Sequence, residues 1–228
     1  ESFTENWEKL EQYDNNAPKT MNAHLHVLEA YTLLYQCWKD NGLKKRLEFC
    51  VDLFMNRIYD PSRKHFNLFF DNEWNSLVEM DSYGHDVETG WLLCEAARTL
   101  ENQDLIEQTN QLALDVTEAC LAEGMSDKGY MIYEKKGDRK TKHASWWGQI
   151  ETVIACVNAW QISGSDVYLQ SVDTVWTFVK DHMVDKEYGE WYSDCFDGEP
   201  KKEAPKVSMW RCPYHTVRLG VEMYNRLK

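Results

Sequence analysis

Three observations predict an all-α fold of the (α/α)6 toroid class, here incomplete. They are helical periodicity in about seven segments, a recurrence of about 62 residues, and short β-hairpin excursions that follow the outer helices. The periodic segments run roughly over 20–38, 42–58, 85–100, 102–122, 146–162, 166–183 and 212–227. They alternate in character. The segments near 22, 85, 147 and 212 mix His, Trp, Glu and small residues among apolar ones, whereas Leu43–Tyr59 and Asp166–His182 read as amphipathic helices with one wet face. The extended stretches are Arg63–Phe70, Lys128–Tyr133 and Tyr188–Tyr192. The unit is therefore inner helix, outer helix, small β excursion. Units of this kind close into a ring whose inner helices point their N-terminal ends at a central cleft.

A closed ring of six hairpins at this period needs roughly 370 residues. The 228 residues here are expected to form three hairpins and one further inner helix, a single domain over 1–228 that is the C-terminal portion of a barrel. Asn15-Asn16-Ala17-Pro18 reads as the loop into the first inner helix, and Glu1–Tyr13 as the remnant of an earlier unit. The missing N-terminal part of the barrel is the expected partner, because an open ring exposes apolar hairpin flanks.

Composition narrows the function classes. A formal charge of −13 without a Lys/Arg patch argues against nucleic acid and against an anionic membrane surface. No apolar run reaches the roughly 18 residues of a membrane span, and no signal-peptide pattern opens the chain. Seven scattered cysteines, mostly in apolar helical positions, read as reduced core thiols of a cytoplasmic protein. Ten tryptophans and twelve tyrosines are a high load; core packing accounts for many of them, and sugar-binding clefts are also rich in aromatic faces.

The candidate chemistry lies on the four inner helices. Asn22 and His26 are four apart and share a face, while His24 is expected to be hydrogen-bonded within the core. His85, Glu88 and Trp91 form one stripe, in which a carboxylate one turn from an imidazole can orient it and tune its basicity. Trp147 and Glu151 share a face, an indole for stacking a sugar ring beside a carboxylate for its hydroxyls. Pro213 suits a helix start and places His215 in the first turn. Trp210, just before it, is expected at the cleft rim. His85 and His215 lie 130 residues apart, each in the first turn of a helix, where the positive end disfavours imidazolium and leaves a neutral base. Two such imidazoles facing one pocket could remove and return a proton on carbon. No metal is expected: His24 and His26, two apart on a helix, diverge, and no HExxH or Cys/His cluster appears.

The blocks Met21–Tyr31, Tyr83-Gly84-His85-Asp86-Val87-Glu88 with Trp91, Trp146-Trp147-Gly148-Gln149-Ile150-Glu151, Glu190-Trp191-Tyr192 and Trp210–His215 together resemble the cellobiose 2-epimerases of the N-acylglucosamine 2-epimerase superfamily. The resemblance runs in order over nearly the whole chain and covers the C-terminal part, roughly 60%, of a member; it implies an (α/α)6 barrel. It implies that His85 and His215 are the acid/base pair and that Asn22, His26 and Glu88 contact the reducing-end sugar. Glu151 would join that polar shell, Trp147 and Trp210 would stack on or wall the disaccharide, and Trp91 would support the cleft. The family also uses an arginine from its first inner helices, for which this chain has no counterpart. The implied reaction exchanges glucose for mannose at the reducing end of a β-1,4-linked disaccharide through a cis-enediolate, with no cofactor. The alternatives are an N-acylglucosamine 2-epimerase or mannose-type aldose–ketose isomerase, a glycoside hydrolase or lyase using Glu88 and Glu151, and a non-catalytic sugar-binding protein on the same ring.

Overall fold

The computed structural model describes residues 17–208 and 210–228; the expectations for residues 1–16 lie outside them. Seven α-helices and ten short strands are present among the described residues, grouped in two compact units.

The first unit takes in residues 17–81 and Leu92–Asp115. Strand β1 (Lys19–Thr20) leads into α1 (Met21–Cys37), where the Thr20 side chain accepts from Ala23 N and caps the helix. Asp40 caps α2 (Asn41–Leu53) by accepting from Gly42 N at 2.8 Å and Leu43 N at 2.9 Å. The helix widens into a π-turn at Phe54–Ile58 and continues into β2 (Tyr59–Asp60). Leu25, Leu28, Leu47, Val51 and Phe54 are buried between the elements of this hairpin. Strand β2 pairs with β3 (His65–Phe66), and β4 (Phe69–Phe70) pairs with β1. The stretch expected as one hairpin over 63–70 thus supplies two strands to two different pairs. Arg63 holds the turn by donating to Asp60 at 3.0 Å, to Asn67 at 2.8 Å, and to Asp81 of β5 (Met80–Asp81). From Leu92 onward α3 (Tyr83–Leu100) belongs to this unit, as does α4 (Gln103–Gly124) as far as Asp115.

The second unit takes in Ser82–Trp91 and Val116–Lys228. Helix α5 (Trp146–Ser163) is its centre: Trp147 through Ala159 are all buried, the pattern of a helix packed on every side. It packs against α6 (Val167–Phe178), which also ends in a π-turn (Val179–Met183), and against α7 (Tyr214–Arg226). Two hairpins complete the unit. Strands β6 (Glu134–Lys136) and β7 (Arg139–Thr141) form one, and β8 (His143–Ser145), β9 (Asp194–Phe196) and β10 (Glu199–Pro200) form a small sheet. Asp197 and Gly198, both at positive φ (52° and 89°), make the two-residue turn between β9 and β10. Both hairpins lie a few residues beyond the stretches expected from sequence, which contribute only the single bridges Met125↔Met131 and Val184↔Trp191.

The seven cysteines are thiols; five are buried as expected, whereas Cys37 and Cys212 are exposed, and burial pushes Cys156 up to about 12 and Cys195 to about 11. No helix among the described residues is long and apolar enough to cross a membrane. Helix α1 leaves Leu33 and Leu34 exposed, and α7 leaves Val217, Val221 and Tyr224 exposed.

Candidate active site

In the second unit α3 and α5 approach closely, and glycine is what permits it. A Cβ on Gly84 would lie 2.6 Å from Trp147 Cζ3 and 3.2 Å from Gly148 Cα. The contact lets the His85 ring lie against the Trp147 indole, with centroids 4.5 Å apart. Gly84→Ala must displace that indole, and the overpacking is expected to cost about 1–3 kcal/mol. Urea unfolding followed by tryptophan fluorescence measures it, and an unchanged midpoint with an unchanged emission maximum would contradict the packing.

His215 reaches the other side of the same indole, with ring centroids 5.8 Å apart. Both imidazoles therefore border Trp147, which is 9% exposed. Each also has Nδ1 engaged: His85 Nδ1 lies 2.8 Å from Ser82 Oγ, and His215 Nδ1 lies 2.7 Å from Glu151 Oε1. A carboxylate can only accept, so His215 must donate from Nδ1, and in the neutral ring the lone pair is then on Nε2. The helix starts are as expected, since His85 is the third residue of α3 and His215 the second of α7.

Beneath the indole lies a buried ionic cluster. Glu151 (0% exposed) accepts from His215 and from Arg218 Nη1 (3.0 Å) at one oxygen, and from Trp91 Nε1 (2.9 Å) at the other. Glu88 (1% exposed) accepts from the same Arg218 nitrogen at 2.6 Å. The guanidinium also lies 5.3 Å from the Trp91 ring and 4.2 Å from that of Tyr214. The carboxylate that orients a histidine here is Glu151 acting on His215, whereas Glu88, expected to orient His85, is bound to Arg218. Ligand atoms of Glu88, Glu151 and His215 lie within 4.8 Å of one another. Arg218 already supplies the cation between the two carboxylates, and a metal ion would have to displace it.

Arg218 was not anticipated from sequence. The signal was its spacing, three residues after His215 and so on one face of α7. Gln149 is structural: it exchanges hydrogen bonds of 2.8 Å with the backbone N and O of Met131, fixing the turn before β6. Trp210 is half-exposed beside the N-terminus of α7. Asn22 and His26 lie in the first unit on α1. There Asn22 is half-buried, and His26 Nδ1 is 3.4 Å from Glu29 Oε2. His24 is a core histidine, donating from Nδ1 to Thr20 O at 2.6 Å with its edge on Trp74.

A stacked column rises from the indole. Tyr133 meets Trp147 edge-on at 6.2 Å, and His143 is stacked between Tyr133 (4.6 Å) and Phe196 (5.1 Å). Burial holds the His143 imidazole below its ordinary 6.5; Asp194 opposes this and Lys201 adds to it. The unfolded chain then takes up this proton first as pH falls, so stability is lost as pH drops below that value. Between about pH 7.5 and 5.5 the wild type should lose more stability than His143→Phe, and equal slopes in urea titrations would refute the assignment.

A model of the N-acylglucosamine 2-epimerase (GlcNAc 2-epimerase) family matches residues 1–218. A cellobiose 2-epimerase of Bacteroides fragilis is 40% identical over 98% of this chain and 59% of its own length. One from Dictyoglomus turgidum is 35% identical over 100% and 60%. The solved cellobiose 2-epimerase of Bacillus thermoamylovorans B4167 superposes with a TM-score of 0.90 at 35% identity, covering 96% of this chain and 57% of that one. A D-mannose isomerase structure (TM-score 0.59, 13% identity) shares the fold alone. The all-α class is thus the one expected, in company with helical-barrel sugar enzymes. The chain spans about 60% of the length of the curated relatives it matches.

Proposed function

The chain belongs to the N-acylglucosamine 2-epimerase family, and from that premise we propose that its site epimerises C2 of the reducing-end sugar of a β-1,4-linked disaccharide, turning cellobiose into glucosyl-mannose. The observation that carries the reading is the pair of imidazoles from α3 and α7 set against one indole. Once the pyranose opens, the aldehyde makes the C2 proton acidic. One histidine removes it, a cis-enediolate forms, and the proton returns to the opposite face from the second histidine or after rotation about C2–C3. The acidity comes from the substrate's own carbonyl, so the reaction as written needs no cofactor. His215 is prepared for this by Glu151, which fixes the tautomer that carries its lone pair on Nε2.

In this reading Trp147 and Trp210 wall the disaccharide, while Glu88, at 1% exposed, supports the site through Arg218. Glu151 and Trp91, at 0% and 3% exposed, act through His215. The glycosidase alternative is weakened, because a hydrolytic carboxylate pair must flank the scissile bond, whereas Glu88 and Glu151 are buried on one guanidinium. The single catalytic domain, a cytoplasmic setting and completion of the barrel by its N-terminal part go with the same proposal.

Proton NMR of cellobiose incubated with the protein in heavy water tests it. Loss of the C2 proton signal with the appearance of a mannose-ended disaccharide is the expected outcome. Release of free glucose would indicate a hydrolase, and binding without exchange a sugar-binding protein. Turnover of N-acetylglucosamine in preference to cellobiose would shift the assignment to the monosaccharide branch.

A further inference from the structure

The loop that carries Trp210 is built around a buried guanidinium. Arg211 is 2% exposed, donates from Nη1 to Pro205 O at 3.4 Å and from Nη2 to Trp191 O, and lies 5.1 Å from the Trp146 ring centroid. Its Nε, like the neighbouring Trp146 Nε1 and Ser193 Oγ, has no hydrogen-bond partner among the described residues. The loop backbone closes on the same residue, with Ser208 N donating to Arg211 O at 2.9 Å and Arg211 N to Ser208 O at 3.2 Å. Upstream, Lys206 Nζ donates to Gly189 O at 2.7 Å and to Asp185, fastening the loop to the turn before Trp191. Trp146, beneath the guanidinium, anchors α5 to the same segment through its backbone N–H to Ser193 O at 2.9 Å and meets His215 edge-on at 6.3 Å.

Burying a guanidinium whose donors are incompletely satisfied is costly, and proteins break such rules mainly where function requires it. Here the charge sits one residue after Trp210 and four before His215. We propose that Arg211 is a positioning residue. It clamps the 205–211 loop onto the Trp191 backbone and the Trp146 face, which fixes Trp210 as a wall for the sugar distal to the reacting one before substrate arrives. The proposal rests on the epimerase reading and adds to it a determinant of disaccharide affinity that touches no substrate.

Three observables separate this role from simple fold support. Arg211→Lys and Trp210→Ala are each expected to raise KM for cellobiose about ten-fold, the scale of one lost stacking contact, with kcat within about three-fold of wild type. The double variant is expected to add nothing to either single one, since both remove the same wall. A wild-type KM in Arg211→Lys, a fall in kcat alone, or KM effects that multiply in the double variant would overturn the proposal. Should Arg211→Lys fail to fold, the wild type answers directly by hydrogen exchange of the amides of residues 206–208, 210 and 211 without sugar. A clamped loop exchanges at least about ten-fold more slowly than the unfolded chain; exchange at the unfolded rate until cellobiose is added rules out a preset wall. If the wild type forms no mannose-ended product, the epimerase reading fails, while the exchange measurement still tests the clamp.

Discussion

Cellobiose incubated in heavy water with His215→Ala should be epimerised about 10²–10⁴-fold more slowly than with the wild type, and His85→Ala should show a loss of the same order. The expectation follows from where the two rings lie. Both border the Trp147 indole, and each is held through Nδ1, His85 by Ser82 and His215 by Glu151. Held this way, each ring has Nδ1 committed to the protein and its orientation fixed, which is what a proton shuttle on carbon requires. The residual rate separates the two mechanistic variants. If one face of the enediolate is served by each histidine, either variant should still wash deuterium into C2 of one epimer without producing the other. If a single histidine serves both faces after rotation, one variant should lose wash-in and epimerisation together. Glu151→Gln refines the result. An amide can offer N–H to Nδ1 and turn the tautomer over, so the rate should fall although the side chain keeps its size. Wild-type rates in both histidine variants would sink the assignment.

Much of this architecture was legible because helices announce themselves by period. Seven periodic segments became seven α-helices, and the two that overran their α-helical ends, near 58 and 183, did so through π-turns that preserve the periodic pattern. The hairpins were displaced for a definite reason. The extended stretches around Tyr130 and Trp191 follow the outer helices and are rich in aromatics, yet the paired strands are Glu134-Lys135-Lys136 and Asp194-Cys195-Phe196, where charge obscures the alternation. Turn chemistry, above all Asp197-Gly198, was the better guide. In the site, His85, Glu88, Trp147, Glu151 and His215 stood out as polar or aromatic residues on helices otherwise rich in apolar and small ones. Arg218 did not, because an arginine between Val217 and Leu219 on a helix that ends in Arg226 reads as part of a solvated face. Only the tertiary structure places two buried carboxylates opposite it. Sequence spacing pairs Glu88 with the nearest imidazole, one turn away, whereas its charge is answered by a residue 130 positions on.

Arg218→Met is expected to be the most destabilising change in the site. The guanidinium is the cation shared by Glu88 and Glu151, which are 1% and 0% exposed. Taking it away leaves two carboxylates facing each other out of water, and removal of one partner from a buried pair costs about 3–5 kcal/mol. Against the roughly 5–15 kcal/mol of stability in a whole domain, that loss should be plain in a urea titration. The change is not one of volume, since methionine fills much of the same space and keeps the contacts with Trp91 and Tyr214. The charge argument can therefore be isolated. Glu88→Gln in the Arg218→Met background removes one of the two stranded charges and should restore a substantial part of the stability, although it cuts a further native interaction. A packing account predicts the reverse, with the second substitution adding to the damage. Arg218→Lys should fall between: it keeps the charge but not the planar guanidinium whose Nη1 donates to both carboxylates. Its deficit should then appear in the pH dependence of C2 exchange more than in unfolding, because a loosened Glu151 holds His215 less firmly in the tautomer that presents Nε2. An Arg218→Met protein within about 0.5 kcal/mol of wild type would mean that the carboxylates find water or protons when the guanidinium leaves, and the cluster would lose its standing as the support of His215.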